Sequence, residues 1–249
     1  MSDGMKGIAR SLQIFESLAE SGPIGVSDLA RQIGLPKSTV HRHLAALAEA
    51  GWVATVGDES RKWMVTSRAL MIGQRGSREG SIAAVALGPM RALRDQIDET
   101  ITLQVPIGSF QTLHVERIES RQPVRSIVQL GMVSFITVTS GGLAILAHLS
   151  ESEIDEALRR DIPKRTPETM RDPLQIRAAL AQVREHGYSI SRGQNRPGIS
   201  GMAAPILDAR HAPIAAVGIT VPEGRFTDNR LSEWGTRLVE TAAEIASRV

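Results

Sequence analysis

Between Ser27 and Lys37 the chain must close one helix and open another within eleven residues. Val26 to Ile33 reads as a short helix entered at Val26 or Ser27, and Gly34 stops it, because glycine accepts the left-handed backbone that ends a helix. Pro36 supplies a first-turn proline for the next helix, PKSTVHRHLAALAEA, which closes at Gly51. Short helix, glycine turn and following helix are the geometry of a helix-turn-helix. Upstream, Ile8, Leu12, Phe15 and Leu18 recur at steps of four, three and three, one apolar face of a helix over about residues 6–20. Downstream, Trp52–Val56 and Arg61–Val65 flank Gly57-Asp58-Glu59-Ser60 and read as a β-hairpin, the wing of a winged helix-turn-helix occupying residues 1–66.

Residues 67–97 read as a linker of one or two helices, interrupted near Gly73–Gly80 and at Gly88-Pro89. From 98 to 249 the order is mixed. Strands are expected at 101–107, 112–118, 124–129, 200–207 and 213–221, and helices after Ser140, at 151–160, at 173–186 and from about Thr227 to Arg248. Ser150 with Glu153, and Asp172-Pro173 with Gln175, are capping signals. The fold class is therefore α+β, a winged helix-turn-helix joined to an α/β domain with a mainly antiparallel sheet.

In the third helix Val40, Leu44 and Leu47 fall at core spacing, and Ser38, Arg42, Ala45 and Glu49 form the opposite stripe, with Lys37 and His41 beside its first half. A face with basic and hydrogen-bonding groups on its first turns suits a recognition helix entering a major groove. Arg42 can bond a guanine bidentately, and Ser38 and Thr39 can reach phosphates or base edges. Arg61 and Lys62 would be wing contacts, and Arg10 and Ser11 weaker phosphate contacts. An ordinary solvated helix face fits the same residues.

Charge is consistent with either reading. The chain carries 29 Lys+Arg and 27 Asp+Glu; residues 1–80 hold ten basic and eight acidic side chains, and the remainder is balanced. The absence of cysteine excludes Cys-ligated metal, thiol nucleophiles and thiol redox chemistry. His41 and His43 point about 200° apart on a helix, with no acidic residue at i+4, so no metal site is expected. His114, His148, His186 and His211 are scattered and read as surface or structural residues. No phosphate-loop, dinucleotide, zincin or nucleophile-elbow motif is present, so neither catalysis nor a cofactor is expected. The N-terminus has no signal-peptide or anchor pattern, and the cytoplasm is the expected location, with no membrane partner.

The stretch GIARSLQIFESLAESGPIGVSDLARQIGLPKSTVHRHLAALAEAGWV, above all Leu35 to Arg42, resembles the N-terminal domain of the IclR family of bacterial transcriptional regulators. Ser140 to Ala147, Gly187-Tyr188 and Pro197 to Ile206 resemble that family's effector domain in the same order. The resemblance implies a dimeric or tetrameric regulator that binds double-stranded DNA, with a GAF-like domain for a small molecule, often a carboxylic or aromatic acid. Effector contacts would then fall at Ser140, Gly141, Gly142, Ser191, Gly201, Met202, Gly218 and Thr220. Here Ser191 replaces a common acidic residue and Gly201 a common cysteine. Gly218 and Thr220 stand for a serine pair, and Gly142 stands for a common lysine. Most of these changes remove polarity or volume, so the expected effector is larger or less polar than glyoxylate or pyruvate. The glycines at 141–142 and 198–201 either admit a ligand to main-chain N–H groups, beside the positive end of the helix after Ser140, or serve tight turns only. The competing functional class is a winged-helix protein-interaction module with no specific DNA site.

Overall fold

The computed structural model describes residues 3–57, 61–76, 82–108 and 110–249. Its contacts divide into two units, Met1–Arg78 and Glu79–Val249.

The first unit runs α1 (Asp3–Ser21), β1 (Ile24–Gly25), α2 (Val26–Ile33), α3 (Lys37–Glu49), β2 (Val53–Val56), β3 (Lys62–Val65) and α4 (Ser67–Gly76). Gly34 ends α2 in the left-handed conformation, φ 68°, and donates its N–H to the Ala30 carbonyl. Pro36 precedes α3 as its N-cap, because its ψ of 135° is extended, and Lys37 is the first helical residue. The hairpin pairs Val53 with Val65 through Val56 with Lys62; residues 58–60 of its expected turn lie outside the described residues. The two-residue β1 adds a third strand on β3, too short to show any period in sequence.

Ile14, Leu18, Leu29, Val40, Leu44 and Val53 close this unit's core, and Phe15 meets Trp52 edge-on at 5.6 Å. The expected apolar face of α1 is corrected in its first half. Ile14 is fully buried, whereas Ile8 and Leu12 are 67% and 55% exposed. Packing against α3 turns the Ser11–Ile14–Leu18 side inward, roughly one residue's rotation from the apolar stripe.

The second unit begins with α5 (Ile82–Ile97), followed by β4 (Thr100–Ile107), β5 (Gln111–Ile118) and β6 (Val133–Phe135). Next come α6 (Ser140–Leu146), α7 (Glu151–Arg159), α8 (Pro173–His186), β7 (Ser189–Arg192), β8 (Ile199–Leu207), β9 (Pro213–Pro222) and α9 (Asp228–Ala246). The stretch read as a linker thus contains two helices, of which α5 belongs to this unit's core. It passes through Gly88-Pro89 without a break. A proline inside a helix costs about 3 kcal/mol, and burial of Ala86, Met90 and Leu93 against the sheet offsets it.

The sheet is antiparallel in the order β6-β5-β4-β9-β8-β7. Alternation along β8 and β9 divides two cores. Met202, Ala204, Val217 and Ile219 face α5 and α9, while Ala203 and Ala216 face α6 and α8. Strand 124–129, expected from its β-rich composition, does not form. That stretch has no regular secondary structure, Ser126 and Val128 in it are buried, and side chains rather than a ladder satisfy its carbonyls. Arg225 donates to Val124 (2.9 Å), Thr100 to Ser126 (3.0 Å), Arg196 to Ile127 (3.2 Å), and Arg117 to Val128. Gly131, φ 80°, then turns the chain, so that β6 is the partner of β5.

Two buried details set this unit's stability. Gly142 seats α6 on the chain below it, where an added Cβ would lie 2.0 Å from the Ile136 carbonyl oxygen. Glu99, 2% exposed, receives both forks of Arg225 at 2.6 and 2.7 Å. Gly142→Ala should destabilise this unit by about 3 kcal/mol through overpacking, whereas Gly224→Ala, where a Cβ meets nothing within 4 Å, should be near neutral. Denaturant midpoints of the two variants check the contrast. Glu99→Ala, which leaves Arg225 without its buried counter-charge, should also cost about 3 kcal/mol, read in the same titration.

Candidate nucleic-acid interface and ligand cavity

The exposed side of α3 presents Lys37, Ser38, His41 and Arg42, while Val40 and Leu44 are buried beneath them. Thr39 is half-buried beside this face. Arg10, Arg61 and Lys62 are exposed as well. Among the described residues the first unit has one ion pair, Arg31 with Asp28, so the cations of α3 keep their charge for an outside partner. His41 packs edge-on to Trp63 of β3, centroids 6.3 Å apart, which ties the reading face to the hairpin.

Ser11 has a different place from the one expected. Its hydroxyl lies 2.7 Å from His43 Nδ1 and also donates to the Gly7 carbonyl at 3.2 Å, so its bonding capacity is directed inward. Burial, then Arg42 and Arg10, hold His43 below the ordinary histidine pKa. A neutral ring bonded to Ser11 joins α1 to α3. The spacing of thirty-two residues between the two partners hid this bond in sequence.

In the second unit a cavity opens between the α6 face of the sheet, the 126–132 segment and the 193–199 loop, enclosing about 480 Å³ with its open mouth included. Of the expected effector residues, Ser140, Ser191, Gly201 and Thr220 line it. The other four do not. Met202 points into the opposite core, because strand residues alternate. Gly218 is covered by Ala203, whose Cβ is 3.2 Å from where its own would stand. Gly141 abuts the Gln104 amide, 2.6 Å from a would-be Cβ, and Gly142 abuts the Ile136 carbonyl. The paired glycines therefore allow close helix seating, and neither lines the cavity. The start of α6 is similarly occupied: Thr139 accepts the Gly142 N–H at 3.0 Å, and α6 has only seven residues.

The rest of the lining was not anticipated. Gln104 and His114 come from β4 and β5, Ser126, Val128 and Met132 from the extended segment, and Asn195, Arg196 and Ser200 from the β7–β8 side. Thr112 and Thr139 both donate to Gln104 Oε1, at 3.0 and 3.1 Å, which fixes the amide. His114 is 3% exposed with Nδ1 buried and unpartnered, and the Ser200 hydroxyl is equally without a partner. Burial and then Arg196 push His114 down to about 4, so it is neutral at pH 7. Arg196 is exposed at the mouth. The lining is thus rich in hydroxyls and carries one formal charge, more polar than the substitutions at 191, 201 and 218 suggested. His114, a single histidine inside β5, gave no signal of this in the sequence.

A second cavity of about 610 Å³ with its open mouth included lies among α8, α9 and β8, lined by four alanines with Val183, Leu207 and Val239 among its other residues. Arg184 at its edge is already bonded to the Ala147 carbonyl and Glu151, and His148, whose Nε2 is buried and unpartnered, is the other polar side chain there, whereas many more polar side chains line the first cavity. No cluster of three metal-ligating side chains occurs among the described residues, and no described helix is long and apolar enough to cross a membrane.

Known proteins match both units. Residues 7–57 match the IclR helix-turn-helix domain, and residues 77–247 match the bacterial transcriptional regulator IclR C-terminal domain. The chain is 30% identical to the transcriptional repressor IclR of Escherichia coli K12 over 97% of its own length and 89% of that protein. It is 31% identical to the acetate operon repressor of Salmonella typhimurium LT2 over the same shares. Among solved structures, an IclR homolog from Microbacterium hydrocarbonoxydans complexed with 4-hydroxybenzoate superposes with a TM-score of 0.84 at 25% identity, covering 97% of this chain and 98% of that one. Pseudomonas aeruginosa HmgR does so with a TM-score of 0.74 at 27% identity, covering 98% and 99%. A helix-turn-helix with its cations exposed, an α/β unit with a polar cavity and these matches lead to one conclusion: the chain belongs to the IclR family of bacterial transcriptional regulators, whose DNA binding answers to a small-molecule effector.

Proposed function

We propose that the chain acts in the cytoplasm as a homodimer or tetramer without catalytic activity, its α3 helices reading the half-sites of a pseudo-palindromic operator. An organic or aromatic acid larger than glyoxylate or pyruvate, held in the first cavity, changes that binding through residues 67–97, the covalent path between the two units. The observation that carries this reading is the face of α3, where Lys37, Ser38, His41 and Arg42 are exposed with no acidic partner among the described residues. Arg42 is placed on the second turn, where it meets base edges, and Lys37, Ser38 and Thr39 are placed at the first, where backbone phosphates approach. Arg61 and Lys62 on the hairpin, with Arg10 on α1, add contacts to phosphate that are indifferent to sequence. Ser11 contributes by holding His43. For the cavity, Ser140, Ser191, Gly201 and Thr220 are the positions expected from sequence that reach a ligand. The 4-hydroxybenzoate complex of the Microbacterium homolog supports an acid of aromatic size.

Gel retardation with the chain's own upstream region and with random DNA tests the division of labour. Arg42→Ala should lose about tenfold in operator affinity and little on random DNA, since one bidentate base contact is worth about 1–3 kcal/mol. Arg61→Ala should weaken both by a similar small factor and flatten the salt dependence. Equal losses for both variants on both DNAs would contradict these roles. Thermal shift against short and aromatic acids tests the effector; stabilisation by glyoxylate or pyruvate but by no bulkier acid would overturn the size assignment.

A further inference from the structure

The first residues of α4 meet the end of α3. That helix closes at Gly51, φ 77°, where the Gly51 N–H donates to the Ala48 carbonyl at 2.9 Å and the Trp52 N–H to the Leu47 carbonyl at 2.8 Å. The next three carbonyls, of Ala50, Gly51 and Trp52, accept from Arg68 Nη1 at 2.8 Å, the Thr66 hydroxyl at 2.7 Å and the Thr66 N–H at 2.9 Å. The last of these bonds only prolongs the β2–β3 hairpin, but the two side-chain bonds reach past it to the helix. The Thr66 hydroxyl also accepts the Arg68 N–H at 3.3 Å, so one hydroxyl caps the start of α4 and holds the end of α3. Because α3 has no basic residue in its last turn, Arg68 supplies a cation to the negative end of its dipole. The guanidinium lies 5.5 Å from the centre of the Trp52 ring, which meets Phe15 of α1 edge-on. A Cβ added at Gly51 would stand 3.2 Å from Arg68 Nη1, so this glycine serves the approach of the guanidinium as well as the turn.

We infer that Thr66 and Arg68 are positioning residues for operator reading: they fasten the carboxyl end of α3 to the start of α4 and thereby set the angle at which α3 presents Arg42. The inference rests on the reading of the α3 face as the one that meets base edges. Neither residue has to touch DNA for this. Val40 and Leu44 hold α3 against the core by apolar packing, which fixes depth but has no preferred direction. Hydrogen bonds are directional, and these two act at the far end of the helix from its reading face. Arg42 lies eight residues before Ala50, about 12 Å along the axis. A tilt of about 10° at the fastened end therefore moves Arg42 by about 2 Å, several times the roughly 0.5 Å within which a binding constellation has to be held. The same attachment makes α3 follow any displacement of α4. On the path through residues 67–97, the effector's influence then reaches the reading helix at Thr66 and Arg68.

The chain has no cysteine of its own, so spin labels at Ala46→Cys on α3 and Met71→Cys on α4, both exposed positions, report the separation of the two helices in the full chain. Dilution with unlabelled chain removes distances between copies. The distance distribution should be narrow, and Thr66→Val, which removes only the hydroxyl, and Arg68→Met, which keeps length without charge, should each broaden it. In gel retardation each should lower the ratio of operator to random-DNA affinity about fivefold, the worth of one directed hydrogen bond. Thr66→Ser and Arg68→Lys, which keep a donor, should preserve both the distribution and the ratio. Unfolding lowers both affinities together, so the ratio isolates positioning from stability. A distribution that stays narrow in both variants, or one that broadens with the ratio intact, overturns the positioning role. Equal losses on both DNAs for Arg68→Met, with a shallower salt dependence, identify a phosphate contact and overturn the role for Arg68. If the wild-type chain does not prefer operator to random DNA, the reading of the α3 face itself fails and this inference with it.

Discussion

The close seating of α6 on the sheet is the contact on which the second unit's arrangement depends. Gly142 rests against the Ile136 carbonyl and Gly141 against the Gln104 amide, at separations no side chain could share. Leu143, Ile145 and Leu146 are consequently buried, and the start of the helix comes near enough for Thr139 to bond both its own third residue and Gln104. Gln104 is thereby fixed by two hydroxyls, and Ser140 faces Gly201 across the cavity floor. A helix displaced by one methyl group would loosen the amide, lift Ser140 and open the floor. Cavity shape is in this way an outcome of backbone packing.

The opposite wall is built differently. Residues 124–128 contribute no ladder bonds, yet four of their carbonyls are matched by side chains from β4, β5, the 193–198 loop and the turn after β9. Such a wall is anchored at points, and Arg196 is one of the anchors. Arg196, which lines the cavity, is thus the same group that holds Ile127 and Met132 in place. One side chain joins the cavity to the segment covering it.

How much of this was legible in sequence depends on the range of the interaction. Local signals were sufficient where the cause is local. Gly34 ends α2, Asp172 caps α8 through the Leu174 N–H, and Ser150 and Glu153 form their reciprocal box. Patterns of period 3.6 located α1 but not its inward side, since Ile8–Leu12–Phe15 and Ser11–Ile14–Leu18 are adjacent stripes and only the neighbouring α3 selects between them. For 124–129, composition favoured a strand, but distant side chains, those of Arg225, Thr100, Arg196 and Arg117, take its carbonyls in place of a ladder. The candidate sites divide in the same manner. The α3 face follows from spacing within one helix. The cavity gathers residues from six separate stretches, and four of the eight positions expected from resemblance turn out to face packing contacts instead.

The modest net charge of +2 conceals a difference in how the two units treat their cations. In the second unit twelve arginines are ion-paired among the described residues, from Arg94 to Arg248. In the first unit only Arg31 is. Exposed pairs contribute little to stability, but each one shortens the reach of its charge. A polyanion passing the chain therefore meets cations with little local compensation on the first unit and largely compensated ones on the second. In the proposed dimer the affinity comes from two readers held together, each adding a modest site to the other's. On that proposal the unit carrying the cavity has its means of control: a ligand that alters how two weak readers are held acts on the product of their affinities, whereas it could only scale the affinity of a single strong one.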